Sequence, residues 1–125
     1  MSTQTTFFEA VGGEATFRDL VARFYARVAD DPVLAPLYPA EDIDGARERL
    51  TLFLIQYWGG PRTYQEQRGH PRLRMRHAPF VIGEAERDAW LASMRAALDE
   101  VGLEEAHDEM LWNYLVWAAE SMRNS

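Results

Sequence analysis

The 125-residue sequence contains no cysteine, so it cannot form disulfides, zinc–thiolate sites or iron–sulfur clusters. Long apolar runs are missing as well, since no stretch approaches the roughly 18 consecutive apolar residues that a membrane span needs. The opening MSTQTTFFEA lacks both the basic region and the apolar core of a signal peptide. These absences predict a cytoplasmic protein that does not associate with a membrane.

Basic residues are fewer than acidic ones, and the formal net charge is −7. Acidic proteins are repelled by phosphate backbones, so nucleic acid is not an expected partner. The charge is unevenly placed, because Arg62 to His77 carries five arginines, two histidines and one acid, Glu66. A local basic patch on an acidic protein predicts a small anionic ligand held at one place.

Apolar residues recur at helical spacing in four long segments. The first segment has six of them on one face: Phe17, Leu20, Val21, Phe24, Tyr25 and Val28. The second is predicted to begin with Asp44 as its N-cap, and its apolar face comprises Ala46, Leu50, Phe53, Leu54, Tyr57 and Trp58. The third is predicted over residues 84–101, ended by Gly102, with Trp90, Met94, Ala97, Leu98 and Val101 inward. The fourth is predicted over residues 105–122, with Met110, Leu111, Tyr114, Leu115, Ala118 and Met122 inward.

Shorter elements complete the prediction of one all-α domain over residues 1–125. A short helix is expected over Thr5–Val11, and the proline-rich Pro32–Pro39 is expected to form a tight corner. The inward residues of that corner are predicted to be Leu34, Leu37 and Tyr38. No segment shows a convincing strand pattern.

More than twenty residues separate the second and third long helices, whereas helix bundles usually connect helices in about 2–8 residues. Residues 59–70 are predicted to be a loop, and a short helix is predicted over Arg72–Ala78, between Pro71 and Pro79. Long connections in compact domains are usually functional or disordered. The apolar residues of this one, which include Tyr64 and Phe80, favour a segment that folds over something.

His77 lies at the end of the predicted short helix, where a histidine either caps a helix carbonyl or binds a metal. A metal held by protein alone would need more ligands within reach, and the sequence has no such cluster. One histidine is sufficient only where a porphyrin supplies four further ligands. His70 is expected in an extended loop, suited to a surface or propionate contact, and His107 is expected to be solvated.

Five segments together resemble the group II truncated haemoglobins of the bacterial O-type: FEAVGG, FYARV, LYP, QYWGGPRTYQEQRGHPRLRMRHAPF and ERDAWL. The resemblance implies a truncated globin, a two-over-two helical sandwich whose B/E and G/H helices enclose haem. The implied cofactor is haem b, iron protoporphyrin IX. The histidine of RMRH, which is His77, is then the implied iron ligand.

The same resemblance assigns the remaining candidate site residues. Tyr25, Tyr38 and Trp90 are the implied distal residues, and their phenol and indole groups are hydrogen-bond donors. Ala46 stands where many globins have a distal histidine, and Leu50 belongs to the apolar wall. Residues implied to contact the haem propionates are Arg49, Tyr64 and Arg76. Taken singly, Tyr25 and Trp90 are more typical of a core, and each arginine is typical of a solvated surface; only the joint pattern with His77 favours a distal site.

Three functions remain open from the sequence. The first is tight binding of dioxygen or another diatomic ligand, and the second is redox catalysis that consumes nitric oxide or peroxide. The second would require a separate reductase. The third is an interaction module without haem. No catalytic residue is assigned, and the oligomeric state stays open, a homodimer included.

Overall fold

The computed structural model describes residues 5–70, 72, 75, 77 and 80–124, and within these ranges all regular structure is helical. The helices are α1 (Phe7–Ala10), α2 (Glu14–Val28), a 3-10 turn (Ala35–Leu37), α3 (Ile43–Tyr57), α4 (Thr63–Arg68), α5 (Glu84–Val101) and α6 (Glu105–Ser121). The prediction of an all-α fold is confirmed. No helix in the described part of the chain has the length and apolar character to cross a bilayer.

The long helices form two pairs, α2 with α3 and α5 with α6, joined mainly where α2 packs against α5. This is the two-over-two arrangement. All six apolar residues predicted for α2 are buried, and they meet Met94, Ala97 and Leu98 of α5 in the core. Because full burial of a large apolar side chain stabilises a fold by about 1.5–3 kcal/mol, this contact is a main source of stability.

Helix α5 has the bounds that were predicted, Glu84–Val101. At its start the Gly83 N–H donates to the Glu86 carboxylate at 2.7 Å, which satisfies an otherwise unpaired amide. At its end Gly102 has φ 73°, the left-handed conformation that glycine adopts without a Cβ clash. Both ends are therefore determined locally.

Helix α3 begins at Ile43 with Asp42 as its N-cap, so the prediction of Asp44 as the cap was wrong. The Asp42 carboxylate forms an ion pair with Arg49 at 2.7 Å instead of capping a helix amide. Asp44 lies in the first turn, where a negative charge interacts favourably with the helix dipole.

Two residues that were predicted to point inward are exposed instead. Tyr57 is 52% exposed and stacks on Tyr114 with ring centroids 4.0 Å apart. Met110 is 50% exposed, because the buried face of α6 follows its neighbour Leu111 and then Leu115 and Ala119. A one-residue step turns a helical side chain by about 100°, which carries Met110 away from the core.

The prediction of a loop over residues 59–70 was also wrong, because α4 lies there. Tyr64 of α4 is only 3% exposed and meets the Phe53 ring edge-on at 5.8 Å. The Gln65 N–H donates to the Gln56 side chain of α3 at 2.9 Å. Six residues are too few for a helical period to be recognised, and packing on α3 stabilises a helix that would not form alone.

Candidate functional site

Four aromatic rings from three parts of the chain meet between α2 and α5. The Tyr25 ring contacts Phe24 at 5.0 Å and Tyr38 at 5.3 Å, both edge-on, and Phe24 lies 5.2 Å from Trp90. Phe24 is fully buried and Tyr25 is buried, whereas Tyr38 and Trp90 are half-buried. The structure therefore brings Tyr25, Tyr38 and Trp90 into one cluster, which we call the aromatic cluster.

Burial raises the pKa of both tyrosines in the aromatic cluster, because an apolar environment disfavours the charged phenolate. A hydrogen bond to Tyr38 raises the pKa of Tyr25 further, as expected for a group that donates. Hydrogen bonds with Tyr25 and Trp90 act in the opposite direction on the pKa of Tyr38, as expected for a group that accepts. Both phenols therefore keep their protons to higher pH than an exposed tyrosine does.

The raised pKa of Tyr25 predicts a loss of stability at alkaline pH. In the unfolded chain a tyrosine ionises near about pH 10, whereas Tyr25 in the folded protein keeps its proton to higher pH. The folded state then holds more protons, so stability is full below pH 10 and falls as pH rises above it. We expect Tyr25→Phe to lessen that fall by up to about 1.4 kcal/mol per pH unit.

Urea unfolding followed by circular dichroism, at a series of pH values from 8 to 12, measures this dependence. Tyr57→Phe is the comparison, since Tyr57 is exposed and its removal should lessen the fall only through its effect on the pKa of Tyr114. Identical slopes in the wild type and in Tyr25→Phe would contradict the prediction.

The side chains assigned to the cofactor wall lie along α3 and α4. Ala46 and Leu50 are both half-buried, and a separation of four residues places them on one face of α3. Arg49 is held by Asp42, and the charges of both act on the pKa of Tyr25. This ion pair therefore lies close to the aromatic cluster.

His77 is half-buried and has helical backbone, whereas His70 is exposed. The His77 carbonyl accepts the Phe80 N–H at 3.0 Å, and the two rings are 6.5 Å apart. The apolar side chains on both sides of His77 are exposed, Met75 by 60% and Val81 by 70%. Arg76 and most of the predicted helix over Arg72–Ala78 lie outside the described residues.

His107, which was predicted to be solvated, is in contact with solvent on one side only. It is half-buried, and its ring meets Phe7 edge-on at 5.6 Å. It lines a surface groove of about 510 Å³ between the start of α2 and the end of α5. His107 thus packs in a different part of the fold from the aromatic cluster.

The ligand chemistry of these residues fits a haem. Among the described residues no group of three or more His, Cys, Asp or Glu could hold a metal ion. Haem iron needs only one axial histidine from the protein, since the porphyrin supplies four nitrogens. Met75 and Val81 present exposed apolar side chains beside His77, and apolar surface of this kind often marks a binding site.

A model of the bacterial-like globin family matches residues 6–124. The chain belongs to this family. The globin is 45% identical over 117 residues to group 2 truncated hemoglobin YjbI of Bacillus subtilis, which covers 94% of the chain and 87% of the relative. Two solved structures are similar throughout. A thermostable hemoglobin from Thermobifida fusca is 62% identical with a TM-score of 0.93, covering 96% of this chain and 98% of that one. The truncated oxygen-avid haemoglobin of B. subtilis is 43% identical with a TM-score of 0.90, covering 96% and 100%.

These likenesses place the globin among the truncated haemoglobins of group II, as its sequence motifs indicated. The family implies a haem cofactor and binding of small diatomic ligands such as dioxygen. One further residue at the site, Asn124, was missed by the sequence analysis. It hydrogen-bonds the backbone carbonyl of His77 from beyond the last helix, and no local pattern indicates such a contact.

Proposed function

We propose that this globin binds haem b with His77 as the protein ligand to iron, and that it holds dioxygen or a similar diatomic ligand tightly. The observation that carries the proposal is the aromatic cluster, in which Tyr25, Tyr38 and Trp90 from three parts of the chain meet around one hydroxyl. When bound, haem supplies a ferrous iron at which a diatomic ligand binds reversibly.

Tyr38 is the residue that we expect to contact the ligand. A phenol oxygen has two lone pairs and one proton. We expect Tyr25 and Trp90, which interact with Tyr38, to donate to that oxygen, so that its lone pairs are used and its own O–H is left to donate to the ligand. The free O–H of Tyr38 would stabilise partial negative charge on a diatomic ligand bound at this site. Tyr25 and Trp90 then orient the donor.

The raised pKa values support this role. A phenolate has no proton to donate and would repel a negatively charged ligand. Burial raises the pKa of Tyr25 and Tyr38, so both hydroxyls keep their protons throughout the neutral range. In the low dielectric of a buried site a hydrogen bond is also stronger than in water.

The proposal that haem binds here also gives roles to the residues that would surround it. The methyl group of Ala46 has no hydrogen-bond donor and is too small to fill the space beside the ligand. Leu50, one turn later, offers apolar surface. Arg49 and Arg76 are proposed to bind the propionates, since guanidinium pairs well with carboxylate. Tyr64 is proposed to bind them through its hydroxyl. The ion pair with Asp42 restricts where the Arg49 guanidinium can lie.

Avid binding agrees with the description of the B. subtilis haemoglobin as oxygen-avid. Several ordered donors around one ligand slow its escape, which suits holding or reacting with dioxygen better than delivering it. The redox alternative uses the same aromatic cluster, because phenol and indole side chains beside the haem could also donate electrons. It would require a separate reductase.

Haem titration of the purified protein tests the proposal. We expect a Soret band that grows to an endpoint of one haem per chain. Absence of that band after haem addition would overturn it and favour the interaction module. Stopped-flow mixing of the oxygenated protein with nitric oxide, with and without added reductant, then separates the two haem functions. Sustained turnover would favour the enzyme, and a single slow reaction would favour tight binding.

A further inference from the structure

The side chain of Asn124 bridges the end of the chain and the segment that follows His77. Asn124 lies beyond α6, whose C-cap is Met122. Its Nδ2 donates to the Phe80 carbonyl at 2.7 Å and to the His77 carbonyl at 3.5 Å. Its Oδ1 accepts the Ile82 N–H at 2.9 Å, and its own N–H donates to the Ile82 carbonyl at 2.9 Å. We call these four contacts the Asn124 clamp.

The chemistry of the partners determines which way the Asn124 amide points. An amide oxygen can only accept, and the amide nitrogen can only donate. The Ile82 N–H is a donor and requires the oxygen, whereas the two carbonyls are acceptors and require the nitrogen. The reverse orientation would set an oxygen against two carbonyl oxygens. All the side-chain contacts of the clamp therefore agree on one orientation.

The clamp connects a weakly anchored segment to a well-anchored helix. Phe80 and Val81 are 42% and 70% exposed, so burial in the core contributes little to holding them. Helix α6 is anchored by Leu111 and Leu115, each only 1% exposed. The Asn124 side chain therefore holds the backbone carbonyls of His77 and Phe80 against the segment that follows α6.

We propose that Asn124 is a positioning residue that sets the orientation of the His77 backbone, and through it of the imidazole, toward haem iron. The inference rests on the proposed function of His77 as the iron ligand. On this proposal Asn124, in the segment after α6, affects the strength of the iron–histidine bond. Residues that orient a metal ligand usually change metal binding by about 10- to 100-fold when they are replaced.

Two substitutions separate the accepting contact of the Asn124 side chain from its donating contacts. Asn124→Asp retains an oxygen for the Ile82 N–H but removes the donor to the His77 and Phe80 carbonyls. Asn124→Ala removes both. We expect hydrogen exchange at the Ile82 amide to accelerate about 5-fold in Asn124→Ala and by less in Asn124→Asp, which keeps an acceptor for that amide although its second oxygen is repelled by the two carbonyls. This measurement reports the clamp directly and requires no activity assay.

The effect of the two substitutions on haem is measured in the holoprotein. In both variants we expect the iron–histidine stretching band in the resonance Raman spectrum of the ferrous form to shift. We also expect haem transfer to a scavenging apoprotein to be about 10-fold faster, the lower end of the range for outer-shell partners. An unchanged band and an unchanged transfer rate in Asn124→Asp would overturn the proposal.

Glu120→Gln is the matched control. Glu120 accepts from Arg87 and from Arg123 and so holds the same end of α6 to α5, and within the described residues it has no hydrogen bond or ion pair with the His77 segment. We expect its Raman band to match the wild type. An equal shift in Glu120→Gln would mean that Asn124 only secures the end of the chain, and would refute the positioning role. Retention of haem by His77→Ala would instead refute the proposed function itself.

Discussion

His77→Ala is expected to lose haem more than about 100-fold faster than the wild type, because the loss of a direct ligand should exceed the effect of losing an outer-shell partner. The protein would retain only apolar and propionate contacts with the macrocycle. The rate is measured by mixing the holoprotein with excess scavenging apoprotein and following the Soret band. The variant should also lack the iron–histidine stretching band of the ferrous form.

His70→Ala and His107→Ala are the matched controls for this prediction. His70 is exposed, and His107 packs against Phe7 near the groove between α2 and α5. We expect both controls to lose haem at close to the wild-type rate. If His70→Ala released haem as fast as His77→Ala, the assignment of the iron ligand would be wrong.

Tyr38→Phe is expected to accelerate oxygen dissociation by about 10- to 100-fold. Hydrogen bonds to charged groups contribute about 1.5–3 kcal/mol, and each 1.4 kcal/mol is a factor of ten in rate. The substitution removes only the hydroxyl, so the edge-on contact with the Tyr25 ring can be retained. Stopped-flow displacement of oxygen by carbon monoxide gives the dissociation rate.

The two donors to Tyr38 should have smaller effects. Tyr25→Phe and Trp90→Phe each remove one hydrogen bond that orients the Tyr38 hydroxyl. We expect oxygen dissociation to be about 3- to 10-fold faster in each, in line with a net value near 1 kcal/mol for a neutral hydrogen bond. The double variant Tyr38→Phe/Trp90→Phe should resemble Tyr38→Phe, because residues in one network are not additive.

Tyr57→Phe provides the control, since Tyr57 stacks on Tyr114 and is absent from the aromatic cluster. Its oxygen dissociation rate should equal that of the wild type. A Tyr38→Phe protein with the wild-type rate would show that the Tyr38 hydroxyl is not aimed at the ligand. A larger effect in Trp90→Phe than in Tyr38→Phe would mean that the indole donates to the ligand directly.

The long helices could be predicted from the sequence because their signals are local. A helical period needs only that apolar residues recur every three or four positions, and α2 and α5 each satisfy it over several turns. The six predicted core residues of α2 are the six that are buried. Gly102 ends α5 because its left-handed φ of 73° is a property of that one residue.

The candidate site was predicted only in part. The motif around RMRH singled out His77, and the resemblance named Tyr25, Tyr38 and Trp90. Neither indicated how deeply Tyr25 is buried or that its ring meets Tyr38 edge-on. Both depend on how the helices pack.

Spacing along the chain determined that this protein is helical and where its long helices run, and the resemblance to a family motif singled out His77. Only the tertiary structure decided that Tyr64 lies in a short helix and is buried, that Tyr57 is exposed, and that Asn124 reaches back to His77. A helical period is set by neighbours a few residues apart. A contact between residues far apart in sequence forms only when whole helices pack, so no local pattern can encode it.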